Sequence, residues 1–342
     1  MTMEAVPNTS TPTRRILCID GGGIMGTHPA AFLAALEEDL GHPIGDCFDL
    51  IAGTSTGGIL ALGLGLGHTA TELRDLYVER GPTIFGNTSG VRGPLTKIYR
   101  SVRRLYGSKH NADHLRAELQ TVLQDKRIGD ATTRLVIPAW DPHHRSVYIF
   151  KTAHHQRLKT DYKRLAIDAA MATAAAPTFF RQHRMPDNTG LLDGGVWCNN
   201  PIAVAVVEAI TVLGWPADSL HILSLGCVNE VYTLPESPGI ASIMSSLTRL
   251  FVSGQSHGAL GMAKLLTGHE YEREAIFRVC PDAPAGFFQL DDTSKITQLC
   301  GMGASAARRE RPRLERVFLH SRAEPFVPIY ALNEETRYAR AL

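Results

Sequence analysis

Hydrophobic and polar positions along this chain form short apolar runs, each followed by a longer segment suited to a helix. Residues 14–20 and 48–52 are compact apolar runs, which predict buried strands. Residues 27–40 then carry apolar side chains at intervals of three and four, and the segment from about residue 57 is apolar throughout. Both features predict helices. A strand, turn and helix in this repeating order favour an α/β fold with a mainly parallel central sheet.

The same alternation continues toward the C-terminus. Further strands are predicted at 133–140, 146–151, 219–226 and 275–280, and further helices at 71–80, 112–123, 165–176, 202–213, 240–251, 257–272 and 294–309. No internal repeat or low-complexity linker interrupts the pattern, which predicts a single domain over residues 14–330. A polar segment, 1–13, is predicted to be a disordered tail. Insertions of helix and loop are expected near 81–110 and 228–272.

The second predicted strand leads into a turn with the sequence Gly53-Thr54-Ser55-Thr56-Gly57. This is the G-x-S-x-G pattern of a nucleophile elbow, in which a serine is exposed on a sharp turn between a strand and a helix. Glycine on both sides removes the Cβ atoms that such a turn cannot accommodate. The positive end of the following helix dipole points toward negative charge that develops during acyl transfer. The pattern predicts Ser55 as a nucleophile, with Gly53 and Gly57 as its structural partners.

The first predicted strand leads into a second glycine turn, and two interpretations of it compete. Gly21, Gly23 and Gly26 satisfy G-x-G-x-x-G, the fingerprint of dinucleotide-binding proteins, but the acidic residue expected at the end of the second strand is absent. The other interpretation is an oxyanion hole formed by backbone amides. In a parallel unit both turns emerge at the same sheet edge, which favours this second interpretation. Its predicted residues are Gly21, Gly22, Gly23 and Ile24.

A third turn, Asp193-Gly194-Gly195, supplies a candidate acidic partner for the serine. Asp-Gly-Gly alone is usually only a turn. The alternative is a triad of the α/β-hydrolase type, which needs a histidine after the acid. By order along the chain, the candidates are His221, His257, His269 and His320.

Composition excludes several other classes of protein. The chain has 342 residues, 44% of them hydrophobic, and a formal net charge of +1, which argues against a protein that coats nucleic acid. No apolar run reaches the ~18–20 residues of a membrane-spanning helix, so membrane contact is expected to be peripheral. No signal peptide is predicted, and the six cysteines form no C-x-x-C pair, as in a reduced cytoplasmic protein.

The paired histidines His143/His144 and His154/His155 do not predict a metal site. Adjacent residues on an extended strand point to opposite faces, so neither pair can bind one ion. No other spacing typical of metal ligands occurs. We expect no metal and no resident cofactor.

Taken together, four blocks in this order resemble the patatin-like phospholipases: residues 20–26, 53–57, 175–177 and 193–195. The resemblance extends over about residues 14–227. It implies a three-layer α/β/α fold and a phospholipase A activity with a Ser55–Asp193 dyad, acting at the inner membrane from the cytoplasm. Met25 departs from the family, which usually has a basic residue there.

A finer resemblance connects residues 147–155 and 161–163 with the patatin-type effectors of bacterial CBASS antiphage defence. It implies activation by a cyclic dinucleotide or oligonucleotide, with candidate binding segments at 92–110 and 228–272. A constitutive patatin-type lipase and, further away, a dinucleotide-binding module remain alternatives. The basic segment 81–110, with interleaved apolar residues, suggests either a solvated insertion or a lid that meets anionic lipid. The oligomeric state stays open.

Overall fold

Ten strands and nine α-helices are found in the part of the chain that the structure, a computed structural model, describes: residues 12–84, 112–231, 240–271 and 273–334. The strands are β1 Arg14–Ile19, β2 Leu50–Gly53, β3 Arg134–Asp141, β4 Ser146–Lys151, β5 His183–Arg184, β6 Gly190–Asp193, β7 Leu220–Leu225, β8 Asn229–Val231, β9 Ile276–Val279 and β10 Asp282–Pro284. The helices are α1 Thr27–Glu37, α2 Thr56–Gly65, α3 Ala70–Asp75, α4 Gly81–Ile84, α5 Ala112–Leu123, α6 Ala166–Thr173, α7 Ile202–Val207, α8 Ile240–Thr267 and α9 Ile296–Leu314.

The central sheet has the strand order β5-β6-β3-β2-β1-β7-β9, and β4 pairs with β3 outside this path. The pairs β3–β2, β2–β1, β1–β7 and β7–β9 are all parallel. Strands β4 and β6 run antiparallel to β3. The carboxyl ends of β1 and β2 therefore meet at one edge of the sheet, which brings the two glycine turns together.

Helices cover both faces of this sheet, and β1 shows why. Leu17 and Ile19 belong to a large apolar core shared with α1, α2 and α9, whereas Ile16 and Cys18 belong to a second core shared with α7 and α8. Successive side chains of a strand point to opposite faces, so a strand that is apolar throughout needs a cover on each side. The predicted three-layer α/β/α architecture is confirmed.

The prediction of two separate helices at 240–251 and 257–272 is wrong, because the single helix α8 spans both segments up to Thr267. The intervening Gly254 lowers helix stability by only about 1 kcal/mol. Ala259, Leu260 and Ala263 pack on the second core and outweigh that cost. The segment predicted as a helix at 202–213 is α-helical only from Ile202 to Val207. Glu208–Val212 then form a π-helical turn.

Some predictions fall outside the described residues. These include the tail up to residue 11, most of the 81–110 insertion and residues 232–239. Within the part that is described, no helix is both long enough and apolar enough to cross a bilayer.

Candidate active site

Ser55 lies at the junction of β2 and α2, on the predicted elbow. Its backbone has φ 55° and ψ −123°, a conformation that a residue with a Cβ seldom adopts. The Ser55 amide donates a hydrogen bond to Thr173 Oγ1 at 3.0 Å, and Thr173 Oγ1 in turn donates to the Pro138 carbonyl at 2.6 Å. This chain of hydrogen bonds joins the elbow to α6 and β3 and holds the strained residue in place.

The two glycines of the elbow are required by close contacts between backbone segments. A Cβ on Gly53 would lie 2.0 Å from the Gly57 carbonyl oxygen, and a Cβ on Gly57 would lie 2.2 Å from the Ile19 carbonyl oxygen. Backbone atoms of a central strand cannot move aside as a flexible side chain can. The G-x-S-x-G spacing therefore follows from the packing of the elbow against β1.

Asp193 lies at the end of β6 with only 4% of its surface exposed. Its Oδ1 accepts a hydrogen bond from the Gly195 amide at 2.7 Å. Burial raises the pKa of Asp193 to about 6, and hydrogen bonding by the Ser55 hydroxyl and the Gly195 amide, which favours the ionised form, opposes that shift. A buried carboxylate in contact with a serine hydroxyl, and ionised near neutral pH, has the properties of a general base.

The glycine loop after β1 lies against the elbow, as the sequence predicts. A Cβ on Gly21 would lie 3.3 Å from the Cβ of Ser55. Four residues of this loop are predicted oxyanion donors, but two of their amides are already engaged. Gly21 N donates to the Asn199 carbonyl at 3.0 Å, and Ile24 N donates to the Leu290 carbonyl at 2.8 Å. Among the described residues the Gly22 and Gly23 amides have no such partner, so the candidate donors narrow to these two.

A buried ion pair holds the residue that precedes the glycine loop. Asp20, the residue before Gly21, is 4% exposed and accepts two hydrogen bonds from the Arg278 guanidinium, one of them at 2.9 Å. Arg278 also donates to Ser224 Oγ at 2.7 Å. Burial raises the pKa of Asp20, and the positive charge of Arg278 opposes that shift. The loop thus begins on a residue whose position depends on β9.

Met25 does not contribute a polar group to this site. It is buried in a small apolar cluster with Cys227, Ala283, Phe288 and Leu299. The basic residue usual in the family therefore has no counterpart at this position, and stabilisation of an oxyanion by the loop depends on backbone amides.

Three of the four histidines proposed for a triad are engaged elsewhere. His221 faces Arg273, His257 Nδ1 bonds to the Ser253 carbonyl on its own helix, and the amides of Ala275 and Ile276 donate to His269. His320 is exposed at the end of the C-terminal helical segment. None of them contacts Asp193 among the contacts of the described residues. In the same part of the chain, no group of three or more His, Cys, Asp or Glu side chains could hold a metal ion.

All six cysteines are free, and each has a raised pKa caused mainly by burial. The value is about 11 for Cys47 and Cys280 and about 12 for Cys198. These thiols are therefore protonated at neutral pH and are poor nucleophiles.

Comparison with known proteins agrees with this geometry. The sequence profile of the family described as patatin-like phospholipase matches residues 17–206, more than half of the chain. The chain belongs to the patatin-like phospholipase family. Its fold is therefore the patatin fold, and its enzyme class is that of lipid-hydrolysing esterases, as the four motifs predict.

Several similar bacterial proteins bear the name cGAMP-activated phospholipase. The protein from Pseudomonas aeruginosa is 35% identical over 272 residues, which is 77% of this chain and 78% of that protein. The protein from Escherichia coli is 35% identical over 253 residues, 70% of this chain and 68% of that protein. Among solved structures, VipD from Legionella pneumophila superposes with a TM-score of 0.46 at 10% identity, over 93% of this chain and 68% of that one.

Three residues of this patatin-like phospholipase site are missed by sequence reasoning. Thr173 lies within an alanine-rich helix, where a threonine attracts no attention. Asn199, whose side-chain amide donates to the Gly21 carbonyl at 3.4 Å, belongs to an Asn-Asn-Pro segment interpreted only as a helix start. Arg278 comes 258 positions after its partner Asp20. None of the three contacts follows from a local sequence pattern, and the Asp20–Arg278 pair joins the two most distant residues among them.

Proposed function

We propose that this patatin-like phospholipase cleaves acyl esters of membrane phospholipids with a Ser55–Asp193 dyad. The observation that carries the proposal is the buried Asp193 carboxyl beside the strained Ser55, with a pKa that burial raises to about 6. Near neutral pH such a carboxyl is mainly ionised and can accept the serine proton.

The reaction follows from this arrangement. Ser55 Oγ attacks the ester carbonyl carbon and passes its proton to Asp193, while the Gly22 and Gly23 amides donate to the oxyanion. Collapse of the tetrahedral intermediate breaks the ester bond, and Asp193 returns the proton to the departing lysophospholipid oxygen. Water then attacks the acyl-enzyme, with Asp193 again as base, and releases the fatty acid and free Ser55.

A second part of the proposal is a switch by a cyclic nucleotide, as in antiphage defence. The similarity to two proteins named cGAMP-activated phospholipase, over more than two thirds of this chain, supports it. The alternative is a constitutive lipase of the same family. A dinucleotide-binding module is disfavoured, because the Ile24 amide of the glycine loop already donates to the Leu290 carbonyl and is not available to a phosphate.

The test is hydrolysis of a fluorogenic phospholipid by wild type, Ser55→Ala and Asp193→Asn, each with and without cGAMP and related cyclic nucleotides. We expect a loss of at least about 10³-fold in both variants, because nucleophile and base act as a unit. We also expect activity of the wild type to depend on one nucleotide. Activity that survives in Asp193→Asn would refute the dyad, and activity that no nucleotide changes would refute the switch alone.

A further inference from the structure

Five large apolar side chains are exposed around the candidate active site. We call them the apolar rim: Val196, Leu250, Phe251, Phe287 and Leu290, with 42, 41, 59, 38 and 36% of their surfaces exposed. Single exposed apolar residues are common on soluble proteins, but a group that surrounds one site usually marks an interaction surface.

The rim adjoins both halves of the site. Val196 is the last residue of the short turn that begins after Asp193, and the amide of its neighbour Gly195 donates to the Asp193 carboxylate. On the other side, the Leu290 carbonyl accepts the Ile24 amide of the glycine loop. Phe287 lies three residues before Leu290, under the Lys295 ammonium group, which is 3.5 Å from its ring centre.

Helix α8 connects the two sides through two anchors. Arg249 pairs with Glu230, whose carboxylate also accepts the Gly286 amide beside Phe287. Gln255 donates to the Val196 carbonyl at 2.9 Å and accepts from the Asn199 amide at 3.4 Å. Six residues of helix span about 9 Å, so Leu250 and Phe251 are held between the anchors at the edge of the site.

The charge of this surface distinguishes between classes of partner. Helix α8 contains no Asp or Glu over its 28 residues. Near it, Glu230 is paired with Arg249 and Glu270 with Lys264, both cations being on α8, while Asp292 after Leu290 keeps its charge. Beyond the Gln255 anchor, three more apolar side chains are exposed on the same helix: Met262, Leu265 and Leu266. An apolar helix face whose neighbouring glutamates are paired with its own cations, beside the further cation Lys295, suits the surface of a phospholipid bilayer.

We propose that the apolar rim and the outer face of α8 form the surface by which this enzyme docks on a phospholipid bilayer. The proposal rests on the proposed phospholipase activity, because a substrate that resides in a bilayer must reach Ser55 from it. A protein partner on the same surface would cover the edge of the active site, whereas a bilayer supplies the substrate there.

The test is flotation of the full chain with vesicles of phosphatidylcholine and phosphatidylglycerol. Phe251→Asp should weaken vesicle binding about tenfold or more, because a buried phenylalanine contributes about 1.5–3 kcal/mol and each 1.4 kcal/mol is tenfold. Hydrolysis of vesicle phospholipid should fall in parallel. The matched control is Val327→Asp, which places the same charge on a side chain that is 79% exposed outside the rim. It should change neither quantity.

A soluble short-chain ester separates this proposal from the proposed function. Phe251→Asp should keep its hydrolysis of that ester within about twofold of wild type, since a monomeric substrate needs no docking. If the wild type cleaves no ester, with or without cGAMP, the proposed function is refuted. Vesicle binding measured by flotation would still test the docking surface. Unchanged vesicle binding in Phe251→Asp overturns the docking surface. So does a variant that loses a dimer in sedimentation but still binds vesicles, because the surface would then contact a second copy.

Discussion

The two glycine turns of the active site differ in where their supporting contacts come from. The elbow at Ser55 is fixed by Ile19 on the neighbouring strand and by Thr173, which bonds directly to the Ser55 amide. The loop at Gly21–Ile24 is held by segments far along the chain, through the carbonyls of Asn199 and Leu290. The elbow rests on a close contact of backbones inside the sheet and on side-chain hydrogen bonds to Thr173 and to the Cys198 carbonyl, whereas the loop rests on backbone hydrogen bonds to segments that follow β6 and β10.

This difference separates the proposed nucleophile from the proposed oxyanion donors. The conformation of Ser55 cannot change without disturbing the central sheet. The Gly22 and Gly23 amides, in contrast, move with a loop that Leu290 holds on one side and the Asp20–Arg278 pair supports on another. A change near β9 or near the segment after β10 therefore reaches the reaction through the oxyanion donors before it reaches the serine.

The largest effect is expected where the elbow contacts β1. In Gly57→Ala, the new Cβ would lie 2.2 Å from the Ile19 carbonyl oxygen, so the elbow must shift. We expect a loss of about 3 kcal/mol or more in the free energy of unfolding and about 10²-fold or more in activity. Urea denaturation measures the free energy of unfolding, and ester hydrolysis measures the activity. Gly301→Ala is the control, because its Cβ would meet open space on α9, and we expect it to stabilise by about 1 kcal/mol. Equal behaviour of the two variants would contradict the packing argument.

The next effect concerns the support of the glycine loop. Arg278→Met leaves the Asp20 carboxylate buried without its ion pair, which should cost about 3–5 kcal/mol of stability. Ester hydrolysis should fall as well, because the loop begins at Asp20. Arg278→Lys keeps the charge but loses the bidentate hydrogen bond. Its stability and activity should therefore lie between those of Arg278→Met and wild type. Full stability and activity in Arg278→Met would show that the loop does not depend on β9.

The smallest effect has the opposite sign and concerns Asp193, which contacts the elbow. Its pKa is about 6 in the folded protein, above the ordinary 3.8. Its contribution to the stability of the folded protein is therefore fully present below about pH 4 and is lost as the pH rises through 6. Asp193→Asn should therefore stabilise the protein by up to about 3 kcal/mol above pH 7, since two pKa units correspond to about that energy. This gain should shrink toward pH 4 in urea titrations.

Asp187→Asn serves as the reference for that sign. Burial raises the pKa of Asp187, but hydrogen bonds from Arg164 and Thr189 outweigh this and lower it to about 2. Asp187→Asn should therefore destabilise the protein at neutral pH, where Asp193→Asn stabilises it. Stabilisation by both, or by neither, would contradict the assigned environment of Asp193.

The sequence was sufficient for features that depend on neighbouring residues. The apolar runs predict the parallel strands because a buried strand must be apolar on both sides, and Ser55 is predicted because its glycines are a steric requirement of the elbow. Asp193 is predicted only together with the other motifs. Arg278, Asn199 and Leu290 could not be assigned, because their contacts join segments separated by many elements. The continuous helix α8 is missed since its glycines resemble a break, and only packing on the second core outweighs them.

The cysteines described above have a practical consequence for experiments. Every native thiol is held protonated by its surroundings, so maleimide reagents, which need the thiolate, should react with them slowly at neutral pH. A single cysteine introduced at an exposed position would then carry a fluorophore almost alone, without removal of any native cysteine. The natural chain is in this respect already suited to spectroscopic labelling.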